Sequence, residues 1–284
     1  MVLESLFNPF GLKKRPWQMF IAGFVYSLIA FVLSYIVFRD AAGLLLVFLV
    51  VLSTLPILYT AIRNEEELDL KYTKEWKLLK EHTKVLVFFM FLFLGITAGL
   101  VFSYIAFPSA ILATVFSLQN EAIVSVNNNV QANITGGITK INLFGKIFMN
   151  NIKVLFFCLI FSFLYGSGAI FILTWNASVI AAAMGNIIKT ELAKVTTLVG
   201  LSSASAYLGV TTFSFFRYMT HGLLEIAAYF VAGLAGGIIS IAIIKHNLKE
   251  NRVLIDVLDL VLISVGLLLI AGVVEVYITP VLFG

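Results

Sequence analysis

The chain has 284 residues, 61% hydrophobic and 12% charged, with 26 Phe and a formal net charge of +4. Ordinary soluble domains carry about 25% charged residues, and here the charges cluster so that long stretches are free of them. A soluble globular domain is thereby excluded, and the fold class is all-α, a polytopic transmembrane helical bundle. The cations lie in loops beside apolar segments, where they set orientation rather than bind nucleic acid. Cys158 stands alone in an apolar run, which excludes an internal disulfide and a cysteine metal site.

Lys13, Lys14 and Arg15 precede an apolar run from about Trp17 to Val37. That run exceeds the roughly 7–15 residues of a cleaved signal core and is expected to anchor the chain instead. Predicted spans are 17–38, 41–62, 85–106, 152–173, one crossing within 175–216, then 219–244 and 254–280, about seven in all. A helix of about 20 residues rises roughly 30 Å, enough to cross. Arg39 and Asp40 alone separate the first two spans, so they form a tight helical hairpin.

Segment 64–84 opens on Glu65, Glu66 and Glu67 and closes on lysines, which matches the helix dipole. Leu68, Tyr72, Trp76 and Leu79 recur at helical spacing, so one amphipathic helix on the inner membrane surface is expected. A solvated linker helix is the plainer reading. The chain thus divides into a hairpin with its surface helix, 1–84, and a membrane core, 85–284.

The stretch 107–151 reads as a long, nearly uncharged loop. Pro108 ends the third span, residues 109–118 are apolar enough to lie in the interface or pack on the bundle, and NNNVQANITGG is turn-rich. Asn133-Ile134-Thr135 matches a glycosylation acceptor, a weak pattern. Within 175–216 the run NASVIAAAMGNII is too short to cross alone. The crossing is expected over 195–216, with 175–188 continuing the preceding helix or re-entering.

Lys and Arg density sets the direction. Arg63, Lys71, Lys74, Lys77, Lys80 and Lys84 crowd one loop, and Lys245, Lys249 and Arg252 another. Both lie inside if the N-terminus is cytoplasmic, which puts loop 107–151 and the C-terminus outside. Gly95 and Gly99 are spaced GxxxG, as are Gly233 and Gly237, and Ala232 and Gly236. Such spacing lets helix backbones approach closely, within the chain or across a homodimer.

His221 and Glu225 stand one helical turn apart at the mouth of an apolar segment, and Glu275 lies deep in another. A carboxylate inside a span costs about 2.5–3.5 kcal/mol on insertion scales. The expected topology brings Asn151, His221, Glu225 and Glu275 to one depth near the outer face, with Arg217 and Tyr218 above. Three readings compete. The cluster is a polar lock that holds helices in register. Alternatively, His221, Glu225 and Glu275 ligate a divalent metal such as zinc. The third is an acid/base or ion-relay site built on paired carboxyls. Asp256 and Asp259 are read as interfacial partners of Lys249 and Arg252, and His82 and His246 as solvated. No phosphate-binding glycine loop, two-histidine metalloprotease helix or serine elbow occurs.

In chain order the polar pieces are Asn150-Asn151, an apolar span ending near Gly166 with Asn176 beyond, His221-Gly222 with Glu225, Gly233 and Gly236, and Glu275 with Thr279-Pro280. This order resembles the stage II sporulation protein M family over about 85–284. The family commonly has proline just before the histidine, where this chain has Thr220. The resemblance implies a five-span core and a membrane scaffold, which in spore-forming bacteria recruits cell-wall-degrading partners during engulfment. Many relatives occur in organisms that do not sporulate, so it implies the fold and polar cluster rather than sporulation. The expected function is a non-enzymatic anchor for membrane or envelope proteins, reached through loop 107–151. The alternatives are a metal- or carboxylate-dependent membrane enzyme on lipid or envelope substrates, and a small transporter.

Overall fold

The computed structural model describes residues 16–71, 75–125, 139–165, 168–199, 204–244 and 251–283. The side chains of 58–60, 62–81, 165, 195–199, 204–207 and 251 lie outside that description. The helices are α1 Trp17–Val37, α2 Ala42–Lys71, α3 Glu75–Ala106, α4 Ser109–Val115, α5 Lys140–Tyr165, α6 Ala169–Val199, α7 Ala204–Ile244, α8 Asn251–Val273 and α9 Thr279–Phe283. A 3-10 turn, Arg39–Ala41, joins α1 to α2, and a π-helical segment, Val274–Ile278, joins α8 to α9. Residues 117–125 are also helical, and no strand occurs among the described residues.

Seven segments are long and apolar enough to cross a membrane: Trp17–Val37, Arg39–Ile57, His82–Ala106, Lys140–Leu164, Ala169–Lys194, Leu208–Ile244 and Arg252–Phe283. The bundle therefore has two ends, here the Arg39 side and the Lys71 side. Exposed Ile21, Ile29, Ile36, Leu52, Leu258 and Leu262 are apolar side chains that lipid accepts without penalty.

Two span boundaries differ from expectation. The fourth crossing begins at Lys140, so 140–151 is helix rather than loop. The fifth is made by α6, and 195–216 is not a span of its own. Asn176 explains the second difference. From sequence its side chain suits a cap or a helix–helix hydrogen bond, but Nδ2 donates to Ile172 O at 3.0 Å within the same helix. AIFILTW and NASVIAAAMGNII thus form one continuous helix, and 175–188 neither re-enters nor prolongs α5. The stretch 64–84 is helical as the end of α2 and the start of α3, with 72–74 outside the described residues. The tract 126–138, with Asn133, lies outside them too, as does His246. Leu112, Val115 and Phe116 are buried, so the described part of 109–118 packs on the bundle.

Close backbone approach organises the packing. Gly23 on α1 faces Leu92 O and Ile96 N of α3, while Gly95 and Gly99 on α3 face the Phe20 and Phe24 backbones of α1. On α7, Gly233 faces Ala169 and Ser162, and Gly236 faces Leu159 O and Ser162 of α5. Gly237 is buried on the same helix. Ser162 Oγ also accepts the Ala169 N–H at 3.1 Å, satisfying a donor at the start of α6. Phe89 of α3 stacks on Phe230 of α7, ring centroids 5.4 Å apart. In its most apolar window α7 is 83% buried, against 22% for α5 and 28% for α8, so α7 is the central helix.

At the Lys71 side, His82 and Asp256 depart from the sequence reading. Both are buried, and His82 Nε2 lies 3.1 Å from Asp256 Oδ2, joining the start of α3 to the start of α8. The expected partner Lys249 lies outside the described residues, and Arg252 is exposed. His82→Ala should lower unfolding free energy by about 1–3 kcal/mol, the cost of leaving a buried acceptor short of its partner. Detergent unfolding of His82→Ala, Asp256→Ala and the double variant checks this. Additive losses would mean that the two side chains do not support each other.

Candidate functional site

The site grows from one face of α7. His221, Glu225 and Tyr229 recur every fourth residue, so they stack along the side turned to α5 and α8. Glu225 and His221 are half-buried and Tyr229 is buried. At 41 residues, α7 is about 60 Å long, twice a bilayer's hydrocarbon thickness, so part of it lies beyond the hydrocarbon. Thr220 allows that length. It keeps a backbone N–H, and its hydroxyl donates to Phe216 O. A proline at this position would lose the N–H and clash with that carbonyl.

Helix α5 supplies Asn151, buried, whose Nδ2 donates to Glu225 Oε1. Asn150 is exposed and takes no part. Because α5 starts at Lys140, Asn151 lies three turns into the helix rather than at its mouth. Phe148 and Phe144 stack one and two turns before it, centroids 5.9 Å apart. Phe144 also packs against Gly272, where an added Cβ would meet its ring at 2.9 Å.

The third wall is the π-helical segment that carries Glu275. Pro280 gives its physical reason. Proline cannot donate to the carbonyl four residues back and crowds it, so the turn before it widens and Thr279 N–H bonds Val274 O instead. Such widened turns recur at functional sites. The segment turns Glu275 to Glu225, and the two carboxyls lie within hydrogen-bonding reach. A carboxylate only accepts, so a bond between two carboxyls requires a proton on one. Thr279 Oγ1 donates to Val274 O at 3.1 Å and lies 3.3 Å from His221 Nδ1. With the hydroxyl proton so used, the His221 contact calls for the tautomer with Nδ1–H. Above them Lys140 Nζ sits 5.7 Å over the Tyr277 ring.

Asn151, Glu225 and Glu275 are therefore brought together, and His221 joins the same walls through Thr279. Arg217 is exposed and stands apart. The expected metal set of His221, Glu225 and Glu275 does not assemble. Among the described residues no three His, Cys, Asp or Glu side chains converge as a metal ion requires. The reason is geometric: the carboxyls face each other while the imidazole faces a hydroxyl.

Tyr229 was not anticipated. It lies within electrostatic reach of Glu225, Glu275 and Cys158, at the floor of the cluster. Its fourfold spacing from Glu225 was a usable signal, but an aromatic in an apolar helix reads as core.

The sequence profile described as stage II sporulation protein M matches residues 88–280. An uncharacterized protein of Methanocaldococcus jannaschii is 30% identical over 169 residues, covering 55% of this chain and 84% of that one. No solved structure matches. The matched region holds all four residues of the polar cluster and begins within α3, after the hairpin of α1 and α2.

Proposed function

Because this chain belongs to the stage II sporulation protein M family, we propose that it is a multi-pass membrane scaffold anchoring membrane or envelope proteins. One observation carries this reading: the buried and half-buried polar side chains of this cluster are engaged with one another across helices. Asn151 of α5 meets Glu225 of α7, Glu225 meets Glu275 beyond α8, and His221 of α7 meets Thr279. Such contacts hold helices in register and require no substrate. A cavity of about 660 Å³ lies in the bundle, and none of these residues lines it.

The hairpin α1–α2 adds two spans to a five-span family core. In this reading the cation-rich Lys71 side faces the cytoplasm, which the excess of Lys and Arg there favours. The Arg39 side and the C-terminus then face outward. Partners are reached through the outer segment 107–139, and a second copy of the chain is one of them to test. Crosslinking in native membranes followed by mass spectrometry tests the scaffold. A reproducible partner is expected, lost when 126–136 is replaced by a short Gly-Ser linker. Failure to recover any reproducible partner would remove the reading.

The carboxyl pair beside Tyr229 favours one second reading, a proton-relay site in a membrane enzyme on lipid or envelope substrates or in a small transporter. Conservative substitution of Glu225 separates it from the lock.

A further inference from the structure

The 660 Å³ cavity is a site of different chemistry. It opens near the Arg39 side, between the end of α3, the helical stretches after it and the end of α6. Tyr104, Asn120, Asn186, Lys189, Thr190 and Lys194 give it its character. That set holds two ammonium groups, two amides and two hydroxyls, and no carboxylate among the described residues lines the cavity. Its size falls within the range of about 300–1,000 Å³ typical of small-molecule sites.

Lys189 is held in place. Its Nζ donates to Phe107 O at 2.7 Å and lies 5.9 Å from the centre of the Tyr104 ring. Both partners are neutral, so neither offsets the ammonium charge, and further N–H groups remain for a ligand. Lys194 sits at the rim, 2.7 Å from Glu191, with most of its side chain exposed. A fixed cation beside neutral amide and hydroxyl donors, with no acid in the wall, is complementary to an oxyanion.

We propose that this cavity binds a phosphate-bearing anion. Its position favours the headgroup of an anionic phospholipid, because it lies where α3 and α6 reach the ends of their spans. Lysine and tyrosine pair with headgroups at that level. The inference is independent of the scaffold reading and of which side faces the cytoplasm.

The test uses the full chain in nanodiscs of phosphatidylcholine with or without phosphatidylglycerol, read by native mass spectrometry of retained lipid. A parallel thermal-shift series uses inorganic phosphate. Wild type should retain phosphatidylglycerol over phosphatidylcholine, and Lys189→Gln should weaken that retention about tenfold, one charge-assisted contact. A thermal shift with inorganic phosphate that Lys189→Gln abolishes would keep the site and make soluble phosphate its ligand. Lys194→Glu changes an exposed side chain and should also reduce retention, so it decides the matter if Lys189→Gln fails to fold. Equal retention of the two lipids with no phosphate shift would overturn the proposal. So would wild-type binding in both variants, or in Lys194→Glu where it alone folds.

Discussion

Glu225→Leu should lower the unfolding free energy by about 2–5 kcal/mol, because it orphans a buried and a half-buried group at once. The Asn151 amide loses its acceptor and Glu275 loses its carboxyl partner. Neither finds replacement water inside a span, where each unpaired polar group is costly. Glu225→Gln should behave differently. The glutamine carbonyl accepts from Asn151 as before, and its amide donates to Glu275. A lock therefore keeps its stability to within about 1 kcal/mol, whereas a relay that needs a proton on Glu225 loses its turnover or transport. Chemical unfolding in detergent, read by far-ultraviolet circular dichroism, separates the two variants. A Glu225→Leu protein as stable as wild type would show that the cluster bears no structural load.

The second large effect is expected at the crossing of α1 and α3. Gly95→Leu places a Cβ and more against the Phe20 carbonyl, and backbone on both sides leaves nothing flexible to yield. A loss of about 3 kcal/mol or more follows, from overpacking that forces helices apart. Gly266 on α8 has no heavy atom within 4 Å of an added Cβ, so Gly266→Leu should change stability by less than about 0.5 kcal/mol. The pair shares chemistry and differs only in what faces the glycine. Equal effects would mean that α1 and α3 do not meet as described.

The helical membrane class and the count of seven crossings followed from charge-free apolar stretches longer than about 18 residues. Boundaries were harder wherever a polar side chain satisfies itself locally. Asn176 bonds its own helix, and Lys189 reaches a backbone carbonyl 82 positions away, so neither ends α6 as a loop residue would. The run 140–151, with Lys140 and Lys146, was read as loop together with the rest of 107–151. In three dimensions Lys140 finds the Tyr277 ring, and the helix starts there.

At the polar cluster, the pairing of acids was legible because carboxyls in spans need partners. Which partner each group takes was not. Pro280 widens the preceding turn and so re-aims Glu275, an effect that regular helical periodicity cannot carry. That re-aiming turns a three-ligand expectation into a carboxyl pair and a separate imidazole–hydroxyl contact. His82 and Asp256 were misread for a related reason: each lies within four residues of a charged side chain in sequence, yet faces a buried partner 174 positions away.

A double-mutant cycle over Asn151→Leu and Glu225→Leu tests most directly whether buried polar contacts hold α5, α7 and α8 together. Each variant is unfolded in detergent under identical conditions. The bond between these side chains predicts a coupling energy of at least about 1 kcal/mol, with the double variant losing less than the two single losses combined. Losses that add to within about 0.5 kcal/mol would contradict it, because the two groups would then not be sharing a bond.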